Sequence, residues 1–247
     1  MYSIQDIVEL KIKILDNCKK CDGKGRYMTL EGFVLCECID AFRCYVDMAT
    51  ANIPKNFWDL ELDFKYFTPK FIEENKTSLS MIAEYSEKLP EAVKTGAGLY
   101  IYGSYGVGKS FLGCSILKKA LGQKFKAHFI LLSELINFAF RALRDEKMRI
   151  YLDHIIMEID FLLVDEIDKK YKTDLIDALL DELFKKRYYS SKPFIVTSNS
   201  GPKEVLEGFG KSVYELFSER LINIPLIGES FRPEILKDIK KDLLGEK

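Results

Sequence analysis

The sequence lacks the long apolar run that a membrane span requires, because no hydrophobic stretch approaches about 18 uninterrupted residues. Its N-terminus also lacks a basic start followed by an apolar core, so we expect no secretory signal, no membrane partner and a cytoplasmic location. A net charge of −1 excludes a strongly basic nucleic-acid coat. Apolar residues still make up 47% of the 247 residues, which excludes a mainly disordered chain and suffices for a buried core.

Cysteine is more frequent than a reducing compartment would lead us to expect. Five of the six cysteines lie between residues 18 and 44, and disulfides are rare in such compartments, so metal binding becomes the first question. Two close pairs have the spacing that lets a short turn aim two thiolates at one ion. We therefore predict a structural Zn²⁺ site formed by Cys18, Cys21, Cys36 and Cys38.

The segment around these cysteines is predicted to be small and to depend on the metal. A short hairpin is expected over residues 26–35, followed by a helix over about residues 39–51. A module of about 50 residues cannot build a large core, so a bound metal would supply much of its folding energy. Cys44 lies in the predicted helix and remains an alternative to Cys38 as the fourth ligand. Free, partly buried thiols are the alternative to any metal site.

The most specific motif is a glycine-rich segment between an apolar strand, predicted over residues 98–102, and a helix, predicted over about residues 111–121. Its spacing, GxxxxGK[ST] in that context, is typical of a phosphate-binding loop. Backbone N–H groups at the glycines and the helix N-terminus would face the phosphates of ATP or ADP. Lys109 would reach the β- and γ-phosphates, and the Ser110 hydroxyl would hold Mg²⁺. The candidate nucleotide contacts are Gly103, Ser104, Tyr105, Gly106, Val107, Gly108, Lys109, Ser110 and Phe111.

A second acidic motif follows about 55 residues downstream. The apolar strand from Phe161 ends in Asp165 and Glu166. Asp165 would bind Mg²⁺ and Glu166 would polarise the attacking water. Other expected elements are a helix over about residues 69–89 that Pro90 ends, a strand over 127–132 with a helix capped by Ser133, a helix over 173–190 and a strand over 193–199. This alternation predicts a parallel, doubly wound sheet with its ligand at the strand C-terminal ends.

Together with the run RYYSSKPFIVTSN at residues 187–199, these motifs resemble those of AAA+ ATPases, and within them DnaC/DnaI-like helicase loaders and their relative IstB. The resemblance implies an α/β P-loop NTPase fold with a parallel sheet flanked by helices. It implies no full helical lid domain, since only 15 residues follow Arg232. Asn199 is similar to sensor 1, Arg220 to an arginine finger acting on a neighbour's ATP, and Arg232 to sensor 2 contacting bound nucleotide. Glu166 stands where many members of the family have Asp, which favours hydrolysis.

We accordingly expect a zinc- and partner-binding module at residues 1–52 and an AAA+ ATPase domain at residues 53–247. The resemblance implies a Mg²⁺-dependent ATPase that loads a replicative hexameric DNA helicase onto single-stranded DNA in replication initiation. It also implies self-assembly into a ring or spiral. The alternatives are an IstB-like transposition helper and a zinc-containing ATP-switch adaptor with negligible hydrolysis.

The charges are uneven along the chain in spite of their balance. Residues 151–168 contain six acidic residues and no Lys or Arg. Cations combined with stacking aromatic rings are typical of single-strand binding, and an ordinary solvated basic face is the alternative. The candidate DNA contacts are Phe138, Phe140, Arg141, Arg144, Lys147, Arg149, Lys169, Lys170, Tyr171 and Lys172.

Overall fold

The computed structural model describes residues 4–168, 174–208 and 211–232. The helices are α1 (Ile4–Lys11), α2 (Glu37–Thr50), α3 (Pro69–Glu74), α4 (Lys76–Glu87), α5 (Leu89–Thr95), α6 (Lys109–Gly122), α7 (Leu132–Ala142), α8 (Glu146–Asp153), α9 (Asp174–Tyr189), α10 (Pro202–Glu207) and α11 (Lys211–Arg220). The strands are β1 (Arg26–Thr29), β2 (Gly32–Leu35), β3 (Gly98–Gly103), β4 (Ala127–Leu131), β5 (Phe161–Asp165), β6 (Phe194–Ser198) and β7 (Leu221–Leu226). Within the described residues, every helix is too short or too polar to traverse a bilayer.

Five strands form one parallel sheet in the order β4-β5-β6-β3-β7. Helices cover both faces, so the strand side chains alternate between two apolar cores. Leu99 and Ile101 enter the core formed with α2, α4, α5 and α6. Tyr100, between them, enters the core formed with α7, α8, α9 and α11. The doubly wound arrangement predicted from the sequence is therefore present.

A separate antiparallel hairpin, β1–β2, lies near the N-terminus, in register from Arg26 opposite Leu35 to Thr29 opposite Gly32. This confirms the hairpin predicted over residues 26–35. The following helix, α2, begins two residues earlier than predicted. Its last turn, with Met48 buried, packs into one of the two cores of the large sheet.

The chain after α2 also joins the open edge of the large sheet. The Phe129 backbone N–H donates to the Ala51 carbonyl at 2.8 Å, and the Asn52 amide donates to the Phe129 carbonyl at 3.1 Å. Covering an edge strand in this way blocks its pairing with another chain. These contacts join the N-terminal module to the large sheet, and a domain boundary at residue 52 stays a prediction.

Two helix predictions were wrong. The helix expected over residues 69–89 is divided between α3 and α4, because Asn75 ends α3 and bonds to the backbone of Ile227 at 2.7 and 2.8 Å. Pro90 does not end a helix but sits in the first turn of α5, where proline's missing N–H costs no hydrogen bond.

Ser133 is not an N-cap either: α7 begins at Leu132, and the Glu134 carboxylate accepts the Leu131 N–H at 3.2 Å.

Arg187 on α9 is fully buried and holds two loops below the sheet. Its guanidinium donates to the carbonyls of Ile156, Ile159, Asp160 and Pro193, at 2.5 to 2.9 Å. A buried charge is tolerated only where hydrogen bonds compensate its desolvation. Arg187, the first residue of the run at 187–199, therefore has a structural role: it fixes the chain just before β5 and just before β6.

Candidate nucleotide site and metal centre

The strand order brings three chain segments together at the C-terminal edge of the sheet. Strand β6 lies between β3 and β5, so the residue after β6, Asn199, lies between the glycine-rich loop and Asp165. In open parallel sheets this edge is where ligands bind. The topology therefore creates one candidate site from motifs that are distant in sequence.

Three glycines of the loop have positive φ angles, and each lies against another part of the chain. A Cβ on Gly106 (φ +78°) would come within 2.0 Å of the Ser230 hydroxyl oxygen, and one on Gly103 within 2.1 Å of the Leu226 carbonyl. Gly108, with φ +89°, sits immediately before α6. Only glycine fits such positions without strain, so the loop shape is fixed by the sequence.

Lys109 is buried at the start of α6, and its ammonium group donates three hydrogen bonds. It donates to the carbonyls of Gly103 at 2.8 Å and Ser104 at 2.7 Å, and to the Asn199 Oδ1 at 3.0 Å. Burial lowers the pKa of Lys109. Three oxygen acceptors around one ammonium form an arrangement that phosphate oxygens can replace, so the residue fits its predicted role.

Ser110 and Asp165 are in direct contact across the site. The Ser110 hydroxyl donates to the two Asp165 carboxylate oxygens at 2.9 and 3.0 Å. Burial raises the pKa of Asp165. A hydroxyl and a carboxylate are hard oxygen donors of the kind Mg²⁺ prefers, so this pair fits a magnesium ion bound beside phosphates.

Thr197 and Asp168 belong to this network, although sequence reasoning assigned them no role. The Thr197 hydroxyl donates to Asp165 and accepts the Glu166 backbone N–H. Asp168 accepts two bonds from Asn199, from its backbone N–H at 3.0 Å and its amide at 2.9 Å. The signals available in the sequence were the second acid after β5, Asp168, and the threonine two residues before Asn199.

Glu166 has a φ of +58°, a left-handed conformation that is uncommon for a residue with a side chain. The bond to Thr197 holds this backbone, and the Glu166 side chain lines the cavity above the loop. Strain of this kind persists where the surroundings impose it, often at functional sites. The geometry fits a carboxylate aimed at a water molecule near the terminal phosphate.

A cavity of about 630 Å³ lies above the loop, within the range of small-molecule sites. The polar side is formed by the loop, Glu166 and Asn199, and the apolar side by aromatic and aliphatic side chains. Residues from the segment between α2 and α3 and from the segment after β7 supply that apolar side: Phe57, Leu60, Tyr66, Phe67 and Phe231. Polar groups for phosphates and apolar walls for a base occur together here.

The nine predicted loop contacts divide into two groups. Tyr105, Gly106, Gly108, Lys109, Ser110 and Phe111 line the cavity. Gly103 and Ser104 face Lys109 with their carbonyls, and Val107 is buried beneath the loop. Arg232 also lines the cavity, close enough for its charge to contribute to the lowered pKa of Lys109.

Arg220 lies at the opposite edge of the sheet. It ends α11 directly before β7, whose first residue pairs with Gly98 at the start of β3. The phosphate-binding loop follows the other end of β3, so the two are separated by about 17 Å of strand. Arg220 donates to the Thr95 carbonyl and lies 5.0 Å from the Tyr188 ring centre. It cannot act on nucleotide bound in its own chain.

The four predicted zinc ligands form a separate cluster. Their sulfur atoms all lie within 4.8 Å of one another, with 3.7 Å between Cys18 and Cys36 and 3.6 Å between Cys21 and Cys38. Tetrahedral zinc with bonds of about 2.3 Å places sulfurs about 3.8 Å apart. The geometry therefore fits Zn²⁺. Cys44 is exposed and outside the cluster, whereas Cys38 is buried within it.

The thiols of this cluster differ in acidity. A hydrogen bond from the Lys20 backbone lowers the pKa of Cys18 to about 7, whereas burial raises the pKa of Cys38 to about 12. A metal ion at the centre would favour the thiolate of every ligand. Cys18 is therefore the more acidic thiol of these two.

Replacing Cys21 by serine is expected to remove zinc from the protein. We expect about one zinc per wild-type chain, near zero for Cys21→Ser, and the wild-type value for the control Cys44→Ser, because Cys44 lies outside the cluster. Metal analysis of dialysed protein measures this. Wild-type zinc near zero, or equal losses in both variants, would contradict the assignment.

The candidate DNA surface is only partly as expected. Arg141, Arg144, Lys147 and Arg149 are exposed around the turn between α7 and α8. Phe138 and Phe140, in contrast, pack against the core, with Phe138 in edge contact with Tyr151 at 5.6 Å. Both rings are half-buried against the core, and base stacking by them stays a prediction. The remaining candidates, residues 169–172, lie outside the described residues.

Comparisons with known proteins agree with this architecture. A family model described as the bacterial DnaA ATPase domain matches residues 62–222. The replicative helicase loader DnaI of Bacillus subtilis (strain 168) is 24% identical over 115 residues, a match spanning 46% of this chain and 37% of that protein. The chain thus matches little more than a third of that relative's length.

Solved structures show the same fold. The crystal structure of the DnaC helicase loader has a TM-score of 0.60 at 22% identity, covering 70% of this chain and all of that one. A replication initiator DnaA, bound to AMPPCP and single-stranded DNA, has a TM-score of 0.54 at 18% identity, covering 71% of this chain and 56% of that one. The predicted AAA+ P-loop fold and the resemblance to DnaC/DnaI-like loaders are confirmed.

Proposed function

Because the chain belongs to the bacterial DnaA ATPase domain family, we propose that it hydrolyses ATP to load a replicative DNA helicase onto single-stranded DNA. The observation that carries the ATPase part is the cavity lined by Lys109, Glu166 and Asn199. Ser110 also lines it and bonds to the buried Asp165. The loader part rests on the similarity to DnaI and to the DnaC fold.

The proposed hydrolysis assigns one task to each side chain. Lys109 leaves the Gly103 and Ser104 carbonyls for the β- and γ-phosphates, while the loop N–H groups hold the β-phosphate. Glu166 accepts a hydrogen bond from the attacking water and orients it, and Asn199 contacts the γ-phosphate or that water. A bound Mg²⁺, held by Ser110 and Asp165, would neutralise charge on the phosphates.

Self-assembly is part of the proposal because one group must come from a neighbour. Arg220 lies about 17 Å of strand away from its own phosphate-binding loop. A guanidinium supplied in trans would stabilise the charge that develops on the transferring phosphoryl group. A ring or spiral in which Arg220 faces the next subunit's cavity satisfies this requirement.

The N-terminal module supplies a candidate surface for the helicase. Its hairpin exposes an apolar set that the described residues leave open: Met28, Leu30, Phe33, Val34 and Leu35. Exposed apolar side chains so close together are typical of a protein–protein contact. We assign this hairpin, stabilised by Zn²⁺ at the cysteine cluster, to helicase binding.

Single-stranded DNA is assigned to the exposed basic residues between α7 and α8. The fold neighbour DnaA was solved with single-stranded DNA, which supports nucleic acid as a partner for this architecture. The contacts proposed here are ionic, because Phe138 and Phe140 are engaged in the core. Binding of this kind weakens steeply with added salt.

A loading assay tests the proposed function. The protein is mixed with the replicative helicase of its source organism, circular single-stranded DNA and ATP, and DNA-bound helicase is measured after gel filtration. We expect several-fold more bound helicase with the wild type than with Lys109→Ala. An amount of DNA-bound helicase that is the same with and without the protein would overturn the proposal. In a pull-down from host lysate, recovery of a transposase and no helicase would also overturn it.

A further inference from the structure

A short segment outside the nucleotide motifs forms part of the nucleotide cavity. Asn56, Phe57 and Leu60 all line it, although they lie about 45 residues before the phosphate-binding loop. Apart from one turn of 3-10 helix at Lys55–Phe57, the segment has no regular structure. Something else must therefore fix the position of this wall.

Lys118 on α6 holds this segment of the cavity wall in position. Lys118 is the tenth residue of α6, and its ammonium group donates to three carbonyls of the segment: Phe57 at 3.2 Å, Trp58 at 2.6 Å, and Leu60. The side chain is half-buried, and burial lowers the pKa of Lys118. One cation thus closes the segment into a loop and ties it to the helix that begins at Lys109.

The N-terminal module holds the same segment from the other side. Asp6 on α1 pairs with Lys55 at 2.6 Å, and the Tyr45 hydroxyl on α2 donates to Asp59. The Trp58 ring lies 5.7 Å from the Tyr45 ring, and its indole N–H donates to the Ile53 carbonyl at 2.7 Å. The wall of the cavity is therefore also a contact surface of the module.

We infer that Lys118 is a positioning residue for nucleotide binding: it fixes segment 55–60 as the cavity wall and so links the N-terminal module to the nucleotide. The inference rests on the proposed nucleotide site and extends it to regulation. A partner that draws α1 and α2 away loosens the wall, and bound nucleotide tightens the same contacts, because coupling between two sites is reciprocal.

The test replaces Lys118 with methionine, which keeps most of the unbranched side chain and removes its charged end. We expect a labelled ATP analogue to bind about tenfold more weakly, and KM for ATP to rise while kcat stays near the wild-type value. Lys118→Arg should restore most of the affinity. The matched control is Lys119→Met, because Lys119 is the next residue on α6 and pairs with Glu87 on α4 instead of with the segment.

Trp58 provides a direct readout, because it is the single tryptophan of the chain and lies within the segment. We expect its emission to shift to the red in Lys118→Met, and to change in the wild type when the analogue binds. Wild-type affinity in Lys118→Met, or no change of wild-type emission on binding, would overturn the inference alone. Failure of the wild type to bind the analogue would overturn the proposed nucleotide site itself.

Discussion

Replacing Glu166 with glutamine is expected to lower the rate of ATP hydrolysis by about 100-fold or more while leaving nucleotide binding intact. The carboxylate is the group that would accept a hydrogen bond from the attacking water, and an amide is a much weaker acceptor. The substitution keeps the shape of the side chain. The backbone bond to Thr197, which maintains the left-handed φ of residue 166, is unaffected because it uses the main-chain N–H.

Phosphate release at saturating ATP, with binding of a labelled analogue measured in parallel, checks this prediction. Glu158→Gln is the matched control, because Glu158 is exposed and precedes the same strand at its other end. It should hydrolyse ATP at the wild-type rate. If Glu166→Gln keeps more than about a tenth of the wild-type rate, the water is oriented by another group. No turnover in the wild type, with or without DNA and helicase, would favour the ATP-switch alternative.

The parts of the fold that the sequence predicted well are those set by local pattern. Strands β3, β5 and β6 were predicted within one or two residues because each is an apolar run, and the phosphate-binding loop because its glycines are local requirements. The division between α3 and α4 could not be predicted from the local sequence pattern. It depends on Asn75 bonding to Ile227, a contact across 152 positions of the chain.

In the candidate site, too, the local pattern predicted the residues, whereas their contacts depend on the tertiary fold. The spacing of the motifs identified Lys109, Asp165 and Glu166, but their connection through Thr197 and Asp168 follows from β6 lying between β3 and β5. A sequence gives no strand order. The choice between Cys38 and Cys44 likewise needed the helix: six positions along α2 rotate a side chain by about 240°, away from the other sulfurs.

Replacing Arg220 with alanine is expected to lower ATP hydrolysis by about 1,000-fold, the lower end of the effect of an arginine finger, without weakening nucleotide binding to the same chain. The residue lies at the edge of the sheet away from its own cavity, where it bonds to Thr95 and covers Tyr188. Its loss leaves the phosphate-binding loop, Asp165 and Glu166 in place. The matched control is Arg43→Ala, an exposed arginine on α2.

Mixing two inactive variants separates action in trans from a structural effect. Glu166→Gln subunits keep Arg220, and Arg220→Ala subunits keep a complete cavity, so a mixed assembly contains interfaces where both are intact. With equal amounts and random assembly, about a quarter of the interfaces regain both groups, and hydrolysis should return toward about a quarter of the wild-type rate. Mixed assemblies that form, as shown by co-purification through one tagged variant, yet stay inactive would show that Arg220 does not serve a neighbour's ATP. A structural role predicts that same inactivity, because a misfolded subunit cannot be rescued by its neighbour.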